Sequence, residues 1–334
     1  MTERVRTSER IDFQRCPTKW YYRWRLGLTP KEVKLGAPDL GTWWHEALPN
    51  WYGVGLKRHG KLEDHFADAA GAALAQAEDA HASPEVIETG QELAALGLDM
   101  AGAYQRHYGD DPGWSVVGAE IPLWFGFPTR DGGAPAVTHY LKPDALIQST
   151  KTGAYWLVEN KTATQIETLH LPLDPQATSY AVMAEVALRK AGHKIELQGV
   201  LYNFARKVLT DLREQDSKGR YLNMNGTVSK RQPGKQFVRH PLVLTRRAKA
   251  LALKRTAEET YAVGFAAQQI RSKRVDLDDI PKNRGKACPR CPFFKLCVLH
   301  EQGGDTRELQ RAAYRKQDPY TYGGTSDEHT GWEF

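Results

Sequence analysis

The stretch LKPDALIQSTKTGAYWLVENKTAT, residues 141–164, decides the fold. Two runs rich in Leu, Ile, Val, Tyr and Trp flank STKTG, a composition that predicts a β-hairpin. If the turn is centred between Lys151 and Thr152, Asp144 stands directly across from Glu159. Facing residues on paired strands have Cβ atoms about 4.5–5.5 Å apart, so two carboxylates there repel and a cation is expected between them. Side chains alternate along a strand, which puts Lys161 on the Glu159 face and turns Asn160 away. One structural reading is a strand-edge salt bridge between Lys161 and an acid. The chemical reading is a hard-cation site: oxygen ligands from two carboxylates suit Mg or Mn together with water and a substrate phosphate. A metal so held polarises a phosphoryl oxygen and acidifies water, and a nearby ammonium stabilises the result, so the chemistry is phosphodiester hydrolysis.

Outward from the hairpin, three strand-like runs are expected at 115–127, 137–148 and 154–164. A helix follows, capped by Asp174, with Pro175 in its first turn, Arg189 and Lys190 in its last and Gly192 as its stop. Residues 196–208 (ELQGVLYNFARKV) read as another strand, 56–108 as helical, and about 245–272 as a further helix. This order indicates an α/β fold with a central mixed sheet flanked by helices and a helical subdomain. The expected division is an N-terminal segment (1–35), the helical subdomain (36–112), a core (113–212), a basic insertion (213–243), a C-terminal helix with a cysteine segment (244–300) and a partly disordered tail (301–334).

The chain has 334 residues and only four cysteines, too few for a secreted disulfide scaffold of this size but enough for one metal or cluster site. MTERVRTSER lacks the apolar segment of a signal peptide, and no apolar run reaches the roughly 20 residues of a spanning helix, so a soluble cytoplasmic protein without membrane contact is expected. Net charge is +6, and 14 Lys or Arg against 3 acids fall between Arg206 and Arg255. Such clustering fits a polyanion or a solvated loop. There is no GxxxxGK[ST] phosphate loop, so the chain is not itself a helicase.

Asp144 after Pro143, with Glu159 and Lys161 two apart, resembles the PD-(D/E)XK nuclease superfamily and its restriction-endonuclease-like core. The surrounding set is similar to the RecB-like branch with an iron–sulfur cluster, which includes the AddB nuclease domain and the CRISPR-associated adaptation exonucleases. Gly41 and His45 in LGTWWHEAL match a glycine, three-residue, histidine element of that branch, and the resemblance implies that His45 binds the metal. Gln176 and Tyr180 match its Gln and Tyr element, implied to contact DNA or support Lys161; Gln176 lies in a first turn, where free N–H groups attract phosphate. Glu120 stands where the branch often has an acid on its first strand, and the Asn160 backbone carbonyl is a further implied metal ligand. LKPD lacks the glycine often found before the acid, which concerns local strand geometry.

ACPRCPFFKLC, residues 287–297, holds Cys288, Cys291 and Cys297, and Cys16 is the only thiol left to complete a four-sulfur site. The 271 residues between Cys16 and Cys288 are foreign to a zinc ribbon. The branch has this layout, which implies a 4Fe–4S cluster joining the N- and C-terminal segments, with zinc as the alternative. Closing so long a loop removes unfolded-state entropy, a structural role. After Cys16, Lys19, Arg23 and Arg25 alternate with Trp20, Tyr21, Tyr22 and Trp24, a mixture suited to single-stranded nucleic acid, although Trp20 and Trp24 share one helical side and half or more of the rings are expected in the core. Lys218, Arg220, Lys230, Arg231 and Lys235 form the other candidate contact surface. The expected function is a metal-dependent DNA exonuclease on single-stranded DNA or DNA ends, in recombination, repair or phage DNA processing. The alternatives are a non-catalytic iron–sulfur DNA-binding subunit and a structure-specific or RNA-directed endonuclease.

Overall fold

The structure is a computed structural model and describes residues 3–120, 122–128 and 135–320. In chain order the elements are β1 (Glu3–Arg6), α1 (Thr7–Arg15), α2 (Pro17–Trp20) running into a π-helical turn (Tyr21–Arg25), β2 (Leu28–Pro30), α3 (Ala37–Tyr52), α4 (Leu62–Asp79), α5 (Pro84–Tyr108), β3 (Trp114–Ala119), β4 (Leu123–Pro128), β5 (Pro135–Leu141), β6 (Ala145–Ser149), β7 (Tyr155–Ala163), α6 (Pro175–Lys190), β8 (Leu197–Arg206), β9 (Phe237–Val243), α7 (Arg246–Arg271), α8 (Phe294–Glu301), α9 (Thr306–Ala313) and β10 (Tyr314–Lys316).

Five strands form the central mixed sheet in the order β3-β6-β7-β8-β9, with β7 and β8 parallel and the other pairs antiparallel. The parallel pair needs a crossover, and α6 supplies it. The helix begins as the sequence predicts: the Asp174 carboxylate accepts from the Gln176 and Ala177 N–H groups. One face of the sheet packs on α6 and α7 through Leu146, Leu157, Val200, Tyr202 and Phe204. The other packs on α3, α4 and α5 through Ala145, Ile147, Val158 and Ala205. On α3, Leu40, Trp43, Trp44, Ala47, Leu48, Trp51 and Tyr52 recur every three or four residues and all are buried. Each such side chain contributes on the order of 1.5–3 kcal/mol of hydrophobic stabilisation, which fixes α3 against the sheet.

Three expectations are corrected. The runs 115–127 and 137–148 are not single strands; each breaks in two. The chain turns at Glu120, which has φ 51°, and again at Lys142-Pro143-Asp144, so β4 and β5 leave the central sheet and join β1 in a second one, ordered β1-β5-β4. Proline has no N–H to give the ladder, which is why the second break falls at Pro143. The segment 213–243 is not all insertion: Phe237–Val243 is the edge strand of the central sheet, and Pro241 is tolerated because an edge leaves N–H positions unpaired. After Lys316, Tyr320 is packed against Trp24 and donates its hydroxyl to Glu9 at 2.8 Å, so the chain is held at least that far. The remainder of the expected tail, 321–334, lies outside the described residues. No helix among the described residues is long and apolar enough to cross a membrane.

Candidate active site

The hairpin ladder runs from Gln148 opposite Tyr155 to Ala145 opposite Val158, and one residue further sets Asp144 opposite Glu159. Gly153, at φ 70°, closes the turn with its N–H on the Ser149 carbonyl. Because β6 stops at Asp144, that carboxylate is free to fold onto its partner strand, where it accepts the Asn160 N–H at 2.6 Å. Lys161 donates to Glu159 Oε1 at 2.5 Å. Alternation sends the Asn160 side chain to the opposite face, against Tyr52 and Asn203.

His45 arrives from α3, and its Nδ1 lies 3.3 Å from Asp144 Oδ1. Gly41, one turn earlier, eases this approach: a Cβ there would stand 3.1 Å from Thr162 Oγ1 on β7, a tight contact that the threonine would have to yield to. Glu120 comes from the turn after β3, one residue past the strand expected to hold it, with its N–H on the Asp144 carbonyl at 3.0 Å and its carboxylate on Lys142. Among the described residues, the one group of three or more His, Cys, Asp or Glu ligand atoms within 4.8 Å of one another is His45, Glu120 and Asp144. Glu159 lies outside that group.

The charges are crowded. Burial drives Glu159 up to about 7 against the pull of Lys161, and the Asp144 charge adds to the push. Burial, then Asp144, raises Glu120 to about 7 as well. Burial alone would lower His45, but Asp144, Glu159 and Glu120 together raise it to about 9. Burial would raise Asp144; His45, the Asn160 N–H and Lys161 instead hold it below its ordinary value. Glu159 Oε2 is buried with no hydrogen-bond partner among the described residues. The two carboxylates and the imidazole of Asp144, Glu120 and His45 fit a divalent cation, and the leftover lone pair of Glu159 lies across the ladder from Asp144.

Tyr180 sits at the rim, partly buried, its hydroxyl pushed up by burial and by the Glu159, Asp144 and Glu120 charges. Gln176 is on the same helix face one turn earlier, but the expected phosphate site in its N–H is corrected: that N–H and the Ala177 N–H are both taken by Asp174.

All four cysteines line one cavity of about 700 Å³ between α2 and the C-terminal segment. Burial raises Cys297 to about 11, with Cys291, Cys16 and Cys288 adding to the push, so the four sulfurs are electrostatic neighbours. Thr18 donates its hydroxyl to the Pro281 carbonyl at 3.0 Å and Asn283 donates to the Arg15 carbonyl at 2.9 Å, tying the two chain segments together.

Of the expected nucleic-acid contacts, Trp20 is corrected: it is 1% exposed and donates its indole N–H to Glu9, so it cannot stack on a base. Lys19 is partly buried and Arg23 exposed, and both pair with Asp12. Lys218, Arg220, Lys230, Arg231 and Lys235 are exposed, with Arg220 paired to Asp216. Arg231 and Lys235 line a cavity of about 1040 Å³ with Arg106, Arg206 and Arg213. Arg106 escaped sequence reading because it lies on α5, far along the chain from the basic insertion.

A family model described as the PD-(D/E)XK nuclease superfamily matches residues 8–298, and the chain belongs to that superfamily. Its members are generally metal-dependent nucleases, so a nuclease acting on DNA is indicated. No curated protein matches the chain.

Proposed function

We propose that this protein is a divalent-metal-dependent DNA exonuclease of the RecB-like branch, acting on single-stranded DNA or DNA ends in recombination, repair or phage DNA processing. The observation that carries the reading is Glu159 Oε2, a buried carboxylate oxygen with no partner among the described residues, directly across the ladder from Asp144. Lys161 compensates only one oxygen of this carboxylate, and keeping the other from water is costly, a cost that a cation offsets.

Asp144, Glu159, the Asn160 carbonyl, His45 and Glu120 would hold the metal. When bound, Mg or Mn polarises a phosphoryl oxygen and lowers the pKa of water. Asp144 is kept ionised by His45 and the Asn160 N–H, so it is ready as a ligand at neutral pH. Lys161, held by Glu159, keeps its proton, and its ammonium stabilises the charge that develops on the attacked phosphate. Tyr180 and Gln176 orient the scissile strand beside it. The imidazole in the set favours Mn over Mg, since nitrogen donors suit transition metals better. The partly buried Lys19 and the exposed Arg23, Lys218, Arg220, Lys230, Arg231 and Lys235 track phosphates. In this reading 36–112 carries the ligand histidine, 113–212 with the strand at 237–243 forms the nuclease core, and 244–300 holds the cluster segment.

We also propose that Cys16, Cys288, Cys291 and Cys297 bind a 4Fe–4S cluster. Tetrahedral zinc with bonds of about 2.3 Å needs sulfurs about 3.8 Å apart. All four thiols line one cavity of about 700 Å³, a setting that suits a polynuclear cluster held by four thiolates. Iron and sulfide analysis of anaerobically purified protein decides between them: stoichiometric zinc without iron defeats the cluster. Cys16→Ala should lower the melting temperature and solubility by opening the N-to-C closure.

Release of nucleotides from end-labelled single-stranded DNA with Mn or Mg tests the activity. Lys161→Ala should abolish it. Equal degradation by both proteins sinks the active-site assignment, and inactivity of the wild type with every metal favours a non-catalytic DNA-binding subunit.

A further inference from the structure

We infer that Asn203, held by Arg239, is a positioning residue for the metal site and acts through Asn160. The inference rests on the active-site reading above.

Asn160 faces two ways. Its N–H donates to Asp144 Oδ2 at 2.6 Å on the site face, while its side chain crosses to the other face of the sheet and is 1% exposed with its residue. There Asn160 Oδ1 accepts from Asn203 Nδ2 at 2.8 Å and from the Tyr52 hydroxyl at 3.3 Å. Asn203 is its ladder partner on β8, equally buried, and its Nδ2 also donates to the Tyr104 hydroxyl at 2.8 Å.

Which end of each amide points where is dictated from β9. Arg239 Nε lies 3.4 Å from Asn203 Oδ1, and a guanidinium has donors only, so Asn203 must turn its oxygen toward β9 and its Nδ2 toward β7. Asn160 must then present its oxygen. Arg239 itself has no freedom: it donates to Asp111 at 2.8 Å, and its guanidinium carbon lies 3.5 Å and 3.8 Å from the ring centres of Tyr108 and Trp114. The chain of fixed groups therefore runs from the edge strand through Asn203 to Asn160. It ends on the residue whose N–H orients Asp144 and whose carbonyl is an implied metal ligand. Such outer partners hold metal ligands in the geometry the ion needs before it arrives.

Asn203→Asp tests this with little change of shape. The carboxylate still accepts from Arg239 and from Tyr104, but it cannot donate to Asn160. Mn affinity, measured by titration calorimetry, should fall about tenfold and kcat should fall with it, while KM for DNA stays unchanged. Asn203→Ser, too short to reach Asn160, should do the same and stands in if the aspartate variant does not fold. Arg58→Met is the control: Arg58 binds the Tyr52, Asp111 and Trp114 carbonyls on the same side of the sheet without touching either asparagine. It should lower the melting temperature and leave Mn affinity intact. If the Asn203 variants bind Mn as tightly as wild type while Asp144→Asn loses binding, the positioning inference is overturned and the site reading stands. If Asp144→Asn also binds as tightly as wild type, both are overturned.

Discussion

Glu9 and Glu159 are two buried glutamates, 0% and 1% exposed, and burial raises the carboxyl of each. Glu9 has partners on both oxygens: the Trp20 indole at 2.9 Å and Arg25 on one, the Tyr320 hydroxyl at 2.8 Å and the Arg6 N–H at 3.4 Å on the other. Glu159 has Lys161 on one oxygen and, among the described residues, no partner on the other, and its facing neighbour is a second acid. Burial and a perturbed carboxyl are common to both, so neither marks a site. What distinguishes Glu159 is a lone pair left over among like charges, which costs stability unless an ion fills it. The N-terminal glutamate is a closed network that fastens α1, α2 and the segment reaching Tyr320. Its counterpart on β7 is open.

The largest expected contrast is in rate. Asp144→Asn should lower DNA hydrolysis by about a thousandfold or more, since the lost charge stabilisation is worth several kcal/mol. Glu9→Gln should leave the rate per folded molecule unchanged; single-turnover assays on both variants check this. Stability should separate them in the opposite direction. Glu9→Gln leaves Arg25 only Glu3 and the Tyr320 hydroxyl as partners and should cost about 1–3 kcal/mol in urea unfolding. Glu159→Gln relieves the burial cost of the charge and its repulsion with Asp144 but gives up the Lys161 ion pair, so the metal-free protein should stay within about 1 kcal/mol of wild type. An equal loss of stability in both variants would erase the distinction.

Acidity sharpens the contrast further. In the metal-free protein Glu159 and Glu120 are raised from 4.5 to about 7, and His45 from 6.5 to about 9. The folded state thus holds these protons more tightly than the unfolded chain. The stability contributed by the two acids is present below about 4.5 and lost as pH rises through about 7; that of His45 is present below about 6.5 and lost through about 9. His139, buried between Thr7 and Thr260 and pushed down to about 3, acts oppositely, costing stability as pH falls below about 6.5. The metal-free melting temperature should therefore fall between about pH 6.5 and 9, and saturating Mn should flatten that fall because the ion displaces the protons. A flat metal-free profile contradicts the crowded-charge account. The smallest effect is expected on the basic cavity, where Arg231→Ala with Lys235→Ala should raise KM for DNA a few-fold and reduce its salt dependence.

Much of this was legible in the sequence, for identifiable reasons. The hairpin register follows from arithmetic on a short turn, and Asp174-Pro175 announces a helix start through local chemistry alone. The breaks at Glu120 and Pro143 were hidden because β-forming residues continue on both sides of them. The edge strand Phe237–Val243 was masked by Arg239, His240 and Pro241, which an exposed edge tolerates. Trp20 was misread because its neighbours are cationic, yet those cations pair with Asp12 and Glu9 while the ring goes inward. Asn203 gave no signal at all, since its role depends on which residue lies beside it in a parallel ladder.

The central claim is that a divalent ion sits where Asp144 and Glu159 face each other beneath His45. Manganese-soaked crystals, with diffraction recorded at the manganese absorption edge, test it most directly. An anomalous peak bounded by those three side chains is the predicted result, and a vacant site in well-ordered, fully soaked crystals would contradict it.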